Sequence, residues 1–525
     1  MSDFGISVMA RSRHAMLALL VAALLGACAT GAVKPYERPA PEQAIPARPD
    51  GAFAKFESAI RAAYGPDASG FELIDRNEDG LRWRLALIDS ARHSIDVQYY
   101  LWYGDAAGRL LTKRLLDAAD RGVKVRMLVD DLNTLISDAG TVKLRDQVAA
   151  WMDAHPNLEL RLFNPWTKRE ISARVGEALS ELDRVNRRMH NKQMIVDNQA
   201  VIIGGRNIGD EYVGLHTTFN FHDLDVLGIG PVARQASTVF DGYWNSHWVM
   251  PVSALRIPVS PAEQIAGRET LMKLLGKSKS LAHFPLSPQS WSSEFAALRR
   301  RMHIGTSQVY SDIPTDGSVK HVMLEQTHAM MESARQELLI VNAYIIPTKR
   351  GTAMLQHLKD RGVHAKILTN SLASHDVPAV NSHYKRWRKP ILESGAELYE
   401  MRHDAAIQPL VSDTPPTKAG FMGLHSKAMV VDRERSYIGS MNYDPRSAAI
   451  NTEMGVFIKS RGLAEALAQL IERDMQPANS WRVELDGDGE LRWVNDTKTV
   501  STQPARNWWQ RVEDLFFMSF PREFY

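Results

Sequence analysis

The chain has 525 residues, of which 44% are hydrophobic and 24% are charged, and this composition excludes an intrinsically disordered protein. The 63 Lys and Arg residues nearly balance the 61 Asp and Glu residues, which leaves a formal net charge of +2. A protein that works on nucleic acid usually carries a clear basic excess, so no nucleic-acid partner is expected. The one cysteine, Cys28, excludes an intramolecular disulfide and a cysteine-rich metal cluster.

The N-terminus has the features of an export signal. Arg11 and Arg13 precede an apolar run over residues 15–25 that is too short to span a bilayer comfortably, and small residues follow it. These features predict a signal peptide over residues 1–27. The Leu-Gly-Ala-Cys sequence that ends at Cys28 resembles a bacterial lipobox, which implies lipid attachment to the cysteine and anchoring at a membrane of the cell envelope. An uncleaved helical anchor is the alternative.

Residues 28–54 are rich in proline and are predicted to form an extended tether. Beyond them the chain repeats one order of elements: a helix, an apolar strand, a second helix that ends at an Arg-Gly pair, and a second apolar strand. The second strand is Val125–Val129 in one copy and Ala365–Leu368 in the other. Strands that alternate with helices in this way predict an α/β fold.

We therefore predict two pseudo-symmetric lobes, each a mixed β-sheet flanked by helices. The first lobe covers residues 55–251 and the second residues 317–480, and residues 252–316 form a linker or insertion between them. Residues 481–525 are predicted to form a hairpin and then an amphipathic helix. This helix, over residues 508–520, is crowded with aromatic side chains. It is expected either to lie near lipid headgroups or to dock on the body of the protein.

Each half also contains the same constellation of polar residues. A histidine is followed by a lysine two residues later, an aspartate seven later and an asparagine seventeen later. The two copies are His190, Lys192, Asp197 and Asn207, and His425, Lys427, Asp432 and Asn442. Apolar runs on both sides of each aspartate predict a β-hairpin. Side chains two residues apart on a strand point to the same face, so each histidine shares a face with its lysine.

These side chains suit the chemistry of a phosphodiester. One histidine can attack phosphorus while the other protonates the leaving oxygen. The lysines and asparagines supply charge and hydrogen bonds to the non-bridging oxygens as negative charge builds up, so the reaction requires no cofactor and no metal ion. A nucleophilic histidine also needs a partner on its second ring nitrogen. The downstream carboxylates Glu453 and Asp223 are the candidates, and salt bridging without a catalytic role is the alternative for both.

The duplicated His-Lys-Asp motif resembles that of the phospholipase D superfamily. Within it the sequence resembles bacterial cardiolipin synthases, especially those of type C, over roughly residues 55–480 and notably at 95–100, 188–192, 204–212 and 223–226. The resemblance implies that both motifs meet at one shared central active site and that the reaction passes through a phosphohistidine.

The same resemblance assigns roles to the residues of the motif. It makes His190 the nucleophile and His425 the general acid, although nothing in the sequence itself distinguishes the two. Asp197 and Asp432 belong to the motif, but they are expected to hold the hairpins rather than to contact substrate. The phosphate would be bound by Lys192, Lys427, Asn207 and Asn442.

The implied activity is transfer of a phosphatidyl group between phospholipid alcohols at a membrane surface. With phosphatidylglycerol as the acceptor the product is cardiolipin, and phosphatidylethanolamine is a candidate donor. A phospholipase D hydrolase, a nuclease of the same superfamily and a lipid-binding envelope lipoprotein without activity are the alternatives. Ala29, after the cysteine, favours the outer membrane, whereas cardiolipin synthesis is expected at the inner one. The choice of membrane and the need for a protein partner therefore stay open.

Overall fold

The computed structural model describes residues 35–131, 142–169 and 171–517, so the predicted signal peptide and Cys28 lie outside the described residues. The strands of the first half are β1 (Ser69–Ile74), β2 (Ser94–Tyr99), β3 (Lys124–Asp130), β4 (Leu158–Phe163), β5 (Lys192–Val196), β6 (Ala200–Gly204), β7 (Phe219–His222), β8 (Asp225–Ile229) and β9 (Val249–Pro251). Its helices are α1 (Ala54–Tyr64), α2 (Asn77–Ser90), α3 (Ala106–Asp120), α4 (Val142–Asp153), α5 (Ile171–Ser180), α6 (Leu182–Asn186) and α7 (Pro231–Trp244).

The rest of the chain continues the alternation of strands and helices. Its strands are β10 (His303–Ser311), β11 (Ile313–Thr315), β12 (Ser318–Lys320), β13 (Glu337–Asn342), β14 (His364–Asn370), β15 (Glu397–Met401), β16 (Phe421–Leu424), β17 (Lys427–Val431), β18 (Arg435–Gly439), β19 (Met454–Lys459), β20 (Ser480–Leu485), β21 (Leu491–Val494) and β22 (Thr499–Val500). Its helices are α8 (Pro261–Lys277), α9 (Ser292–Arg301), α10 (Met323–Glu332), α11 (Lys349–Asp360), α12 (Pro378–Tyr384), α13 (Arg388–Glu393), α14 (Gln408–Val411), α15 (Pro445–Ala449), α16 (Arg461–Asp474) and α17 (Trp508–Phe517).

One mixed sheet of 18 strands runs through both halves of the described chain. Its order is β9-β4-β3-β2-β5-β6-β8-β1 in the first lobe and β10-β19-β18-β17-β13-β14-β15-β20-β21-β22 in the second. Strands β2, β3 and β4 are parallel to one another, and so are β13, β14 and β15. The two orders coincide when β1 is matched with β10, which confirms the predicted α/β fold of two pseudo-symmetric lobes.

Strand β10 joins the two halves of the sheet. Its first residues, 303–305, pair with β1 of the first lobe, and residues 306–311 pair with β19 of the second. The segment 252–316 therefore contributes the connecting strand in addition to α8 and α9.

The predicted repeat is present in the structure. Helices α3 and α11 occupy matching positions after β2 and β13, and the side chains of Asp105 and Thr348 cap their N-termini. Gly122 and Gly362 follow the C-terminal ends of these helices with φ values of 89° and 80°, a left-handed conformation that glycine adopts without strain. The repeated Arg-Gly pair thus marks the point where each helix turns back towards the sheet.

A tight hairpin carries each copy of the motif. Strands β5 and β6 pair around residues 197–198, and β17 and β18 around residues 432–433, with φ between 50° and 54° at all four turn residues. The carboxylate of Asp197 accepts hydrogen bonds from three consecutive backbone N–H groups at the start of β2, and that of Asp432 from three at the start of β13. Each aspartate lies roughly 20 Å along the strand from its histidine, as expected for seven extended residues.

Residues 35–52 contain no helix or strand and lie along the first lobe. The backbone N–H of Glu42 donates to the side chain of Asn245 at 2.9 Å, and that of Ala44 to the side chain of Asp241 at 2.8 Å. This part of the proline-rich segment is therefore held against α7 and the loop that follows it.

Replacing Asp197 with alanine is expected to destabilise the fold without removing a reacting group. The change leaves the N–H donors at the start of β2 without their acceptor, so the free energy of unfolding should fall by about 2–4 kcal/mol in urea denaturation. Asp488→Ala, in the exposed turn after β20, is the matched control and should behave as wild type. A folded Asp197→Ala protein that has lost all turnover would instead place this carboxylate in the reaction.

Candidate active site

The two motifs meet at the boundary between the lobes. Strands β7 and β16 pair in parallel across this boundary, and a matching parallel contact joins Met189 and Thr452. As a result the backbone N–H of His425 donates to the carbonyl of His222, and that of His190 to the carbonyl of Thr452, both at 2.8 Å. The backbone of each motif histidine is thus fixed by the opposite lobe.

Each motif histidine is also paired with a carboxylate of the opposite lobe. Nδ1 of His190 lies 2.9 Å from Oε2 of Glu453, and Nδ1 of His425 lies 2.6 Å from Oδ2 of Asp223. All four side chains are buried. A carboxylate that accepts from Nδ1 keeps the proton on that nitrogen, so Nε2 is left to react with a substrate. The structure therefore brings both candidate carboxylates to the motifs and pairs them crosswise.

The residue two before each motif asparagine differs between the copies, Gly205 in the first and Ser440 in the second, and it matches the length of the nearby carboxylate. A β-carbon on Gly205 would lie 2.2 Å from Oδ1 of Asp223, so a residue without a side chain is required there. The equivalent Ser440 donates its hydroxyl to Oε2 of Glu453 at 2.5 Å. The hydroxyl thus fixes the longer carboxylate, whereas the shorter one needs the space that glycine leaves.

Two lysine ammonium groups complete the centre. Each one donates to the carbonyl of the histidine two residues before it. Nζ of Lys192 lies 5.3 Å from the ring centre of Tyr100, and Nζ of Lys427 lies 5.9 Å from that of Tyr344. Because an ammonium group carries three donors, each lysine keeps N–H groups for the oxygens of a bound phosphate.

The two motif asparagines follow the return strands of the hairpins. Oδ1 of Asn207 accepts a hydrogen bond from the N–H of Leu101 at 3.2 Å, which orients its amide nitrogen as a donor. Oδ1 of Asn442 is buried and has no hydrogen-bond partner within the described ranges. Both amides thus retain polar atoms that a ligand can use.

Burial governs the proton affinities of the basic groups. Burial, and after it the charges of Lys192 and Lys427, hold the pKa of His190 well below its usual value. Burial and Lys427 also lower the pKa of His425, against the opposing effect of Asp223. Burial lowers the pKa of Lys427 to about 8 and also holds that of Lys192 well below its usual value.

The two carboxylates differ from each other in proton affinity. Burial raises the pKa of Glu453 well above its usual value. Burial also acts to raise the pKa of Asp223, but the charges of His425 and Lys427 outweigh it, and the pKa lies below the usual value. The half-sites are therefore electrostatically unequal, because His425 faces the more acidic carboxyl group.

The aromatic surroundings of the histidines were not predicted from the sequence. The ring of Tyr100 meets that of His190 edge-on at 5.0 Å, and the rings of Tyr212 and Phe221 lie 5.3 and 4.9 Å from that of His425. Tyr100 directly follows the C-terminal end of β2, and ligands of α/β sheets bind at such strand ends. Its place directly after a predicted strand is the sequence feature from which Tyr100 could have been identified as a site residue.

A duplicated histidine-lysine motif, shared between two α/β lobes and supported by crosswise carboxylates, defines an enzyme of the phospholipase D type. A family model described as cardiolipin synthase, phospholipase D-like domain, matches the chain at residues 85–244 and 328–475. The chain belongs to this family.

Relatives and a solved structure agree with this assignment. Cardiolipin synthase C of Escherichia coli K12 is 36% identical over 476 residues, which cover 85% of this chain and 94% of that protein. An uncharacterised protein of Helicobacter pylori strain 26695 is 34% identical over 423 residues, which cover 80% of this chain and 81% of that protein. The crystal structure of phosphatidylserine synthase from Haemophilus influenzae covers 79% of this chain and 89% of that one, with a TM-score of 0.50 at 15% identity, and so shares the fold.

Anion binding at this site is expected to weaken as the pH rises through about 8, the pKa of Lys427. Below this value the ammonium is charged, and above it each pH unit should lower the association constant by up to about tenfold. Tungstate, a phosphate analogue whose charge is constant between pH 7 and 9.5, can be titrated calorimetrically.

Two variants make this titration specific. Lys427→Met should weaken binding at pH 7 and reduce the decline, whereas the exposed Lys277→Met should behave as wild type. Affinity that is constant up to pH 9.5 in the wild type would show that no lysine of lowered pKa holds the anion.

Proposed function

We propose that this enzyme transfers a phosphatidyl group from one phospholipid to the hydroxyl group of another, with phosphatidylglycerol as acceptor and cardiolipin as product. The observation that carries the proposal is the pair of buried histidines, each held through Nδ1 by a carboxylate and accompanied by a lysine. The similarity to Escherichia coli cardiolipin synthase C, at 36% identity over most of both chains, supports the choice of product.

In the first step, Nε2 of His190 attacks the phosphorus of the donor lipid. The bond between phosphorus and the headgroup oxygen breaks, and that oxygen takes a proton from Nε2 of His425. The phosphatidyl group is then held on His190 as a phosphohistidine. Lys192 and Lys427 balance the negative charge that builds up on the non-bridging oxygens.

In the second step, the hydroxyl group of the acceptor lipid replaces the released alcohol. Nε2 of His425, now neutral, takes the hydroxyl proton while the oxygen attacks phosphorus. The bond between phosphorus and nitrogen breaks, and His190 regains its lone pair. Each proton that leaves the enzyme in the first step returns in the second, so the enzyme is unchanged.

The inequality of the half-sites supports this assignment of roles. A nucleophile must be neutral, and the pKa of His190 lies well below its usual value because it is buried between two lysines. A general acid must hold a proton, and Asp223, whose own pKa lies below its usual value, opposes the lowering of the His425 pKa by burial and Lys427. Two equal half-sites would give no reason to prefer one direction of attack.

The function is tested by incubating the purified chain with labelled phosphatidylglycerol in mixed micelles, with and without phosphatidylethanolamine. Wild type is expected to form cardiolipin, and acid-labile label should be trapped on the protein after rapid quenching. His190→Ala should abolish both, with a loss of at least about 10³-fold in turnover, because no nucleophile remains. The lipid products are identified by mass spectrometry.

The controls separate the alternative activities. His425→Ala should also lose turnover, while His364→Ala, at an exposed position, should retain it. Higher yield with phosphatidylethanolamine would identify that lipid as a donor. Phosphatidic acid without cardiolipin would mean a hydrolase, and no lipid product would contradict the proposal.

Contact with a membrane is suggested by the way in which α17 docks on the second lobe. The carboxylate of Asp514 accepts hydrogen bonds from Asn381 at 2.6 Å and Lys385 at 2.7 Å, and the amide of Gln510 donates to the carbonyl of Leu372. The polar side of this helix therefore faces the protein, which reverses the usual orientation of an amphipathic helix.

The opposite side of α17 exposes large apolar groups. Trp508, Trp509 and Leu515 are 70%, 55% and 59% exposed. Such a face, with two tryptophans, suits the interfacial region of a bilayer. The helix also lies close to the chemistry, since it contacts the loop that contains His375, whose ring stacks at 5.2 Å on Tyr344 beside the active site.

We propose further that the protein is exported and held at a membrane of the cell envelope by a lipid on Cys28 and by this exposed face of α17. Within residues 35–131, 142–169 and 171–517, no helix combines the length and apolar content needed to cross a bilayer. The exposed face of α17 would add a second point of attachment to that lipid.

Cell fractionation tests the two attachments separately. Cys28→Ser alone and the pair Trp508→Ser with Trp509→Ser alone should each release part of the protein from membranes, and the triple variant should release most of it. Ile265→Ser, at another exposed apolar position, is the control and should release none. Tryptophan variants that leave the binding of the Cys28→Ser protein unchanged would exclude the helix as an attachment.

A further inference from the structure

The second lobe contains an apolar cavity of ≈ 190 Å³ beside the active site. It is lined by α10, α11, α13, α15 and strands β13 and β14, and it opens to solvent on one side. Most of its wall is aliphatic or thioether in character, and the side chains that form it include Leu324, Met331, Ile340, Ile346, Met354 and Leu355. None of these side chains has a role in the chemistry described above.

The wall of the cavity is continuous with the phosphate-binding part of the site. Met441 and Tyr443 line the cavity, and Asn442 of the motif lies between them in the chain. Asp444 also lines the cavity, and its carboxylate is close enough to Lys427 to interact electrostatically with the ammonium group. The segment 441–444 therefore contacts the cavity on one side and the active site on the other.

A second segment makes the same connection. Ile345 and Ile346 line the cavity, while the preceding Tyr344 has its ring 6.5 Å from that of His425. The N–H of Ile346 donates to the carbonyl of Tyr443 at 2.7 Å, so the two segments form one rim. A phosphate held at the motif lies across this rim from the cavity.

The first lobe carries a bulkier residue at the matching position of this rim. The parallel contact between Trp102 and Ile208 corresponds to that between Ile345 and Tyr443 in the second lobe. Trp102 thus stands where the second lobe has Ile345, and its indole lies 5.7 Å from the ring of Tyr99. The two half-sites thus share their reacting groups but differ in the size of the residue at this position of the rim.

We propose that this cavity binds the first part of an acyl chain of the phosphatidyl group that is transferred, an inference that rests on the proposed function. A dry apolar cavity of about 150 Å³ takes up benzene, so this one has room for roughly six to eight carbon atoms. Water would gain few hydrogen bonds from such walls. Each methylene group that leaves water should raise affinity about fourfold, which makes chain length the property to vary.

The experiment compares dibutanoyl- and dioctanoyl-phosphatidylglycerol as substrates, both below the concentration at which they form micelles. Met354→Trp fills the cavity from α11, away from the motif. Met272→Trp makes the same change at an exposed position of α8 and is the matched control. The ratio of kcat/KM for the longer lipid to that for the shorter one should fall at least about tenfold in Met354→Trp and stay unchanged in Met272→Trp.

The outcomes distinguish this inference from the proposed function. If Met354→Trp lowers turnover of both lipids equally, or of neither, the cavity does not hold the chain. The same lipids are also titrated calorimetrically into the three proteins, so that binding is measured whether or not transfer occurs. A wild type that prefers the longer lipid in binding, with the preference lost in Met354→Trp, supports the cavity even if the product is not cardiolipin.

Discussion

The active site exists only because two histidine–carboxylate pairs cross the boundary between the lobes. His190 depends on Glu453 and His425 depends on Asp223, so neither lobe contains a complete half-site. Burying such groups is costly unless each is paired, and breaking one pair leaves a charged or polar group without compensation. The crossing therefore couples folding to function, because a correctly placed nucleophile requires that both lobes are folded and in register. The parallel pairing of β7 with β16 supplies this register.

The pseudo-symmetry of the fold does not extend to the electrostatics of the site. The pKa of Glu453 is raised by burial, whereas that of Asp223 is held low by the cations around it. The carboxylates also differ in their local packing, since Ser440 donates to the longer one and Gly205 leaves space for the shorter one. The duplicated motifs thus differ in the proton affinity of the carboxylate that each histidine faces. Pairs of titratable groups with divergent pKa values are a common basis for dividing acid and nucleophile roles.

Much of the site could be predicted from the sequence, because its elements are local. The hairpins around Asp197 and Asp432, the repeated Arg-Gly helix ends and the two supporting carboxylates all depend on spacing within a few tens of residues. Which carboxylate serves which histidine depends on contacts more than 200 residues apart, and no periodicity records these. The inverted docking of α17 was also hidden, since an amphipathic pattern is the same whichever side faces the protein. The attachment of residues 35–52 to the first lobe could not be predicted either. Their prolines exclude helix and strand, but they do not show whether the segment contacts the rest of the protein.

The features that suit a lipid are concentrated in the second lobe, although both lobes share the chemistry. The apolar cavity behind Asn442 and the exposed face of α17 both belong to the second lobe, and the first lobe has the bulkier Trp102 at the position of Ile345 on the cavity rim. A transferase must bind two lipids in turn at one phosphorus, and it must keep water away from the intermediate. If one lobe holds the chain of the transferred group, the acceptor can enter and leave past the other while the phosphohistidine remains in place. The unequal lobes thus give a physical reason why the acceptor would be a second lipid rather than water.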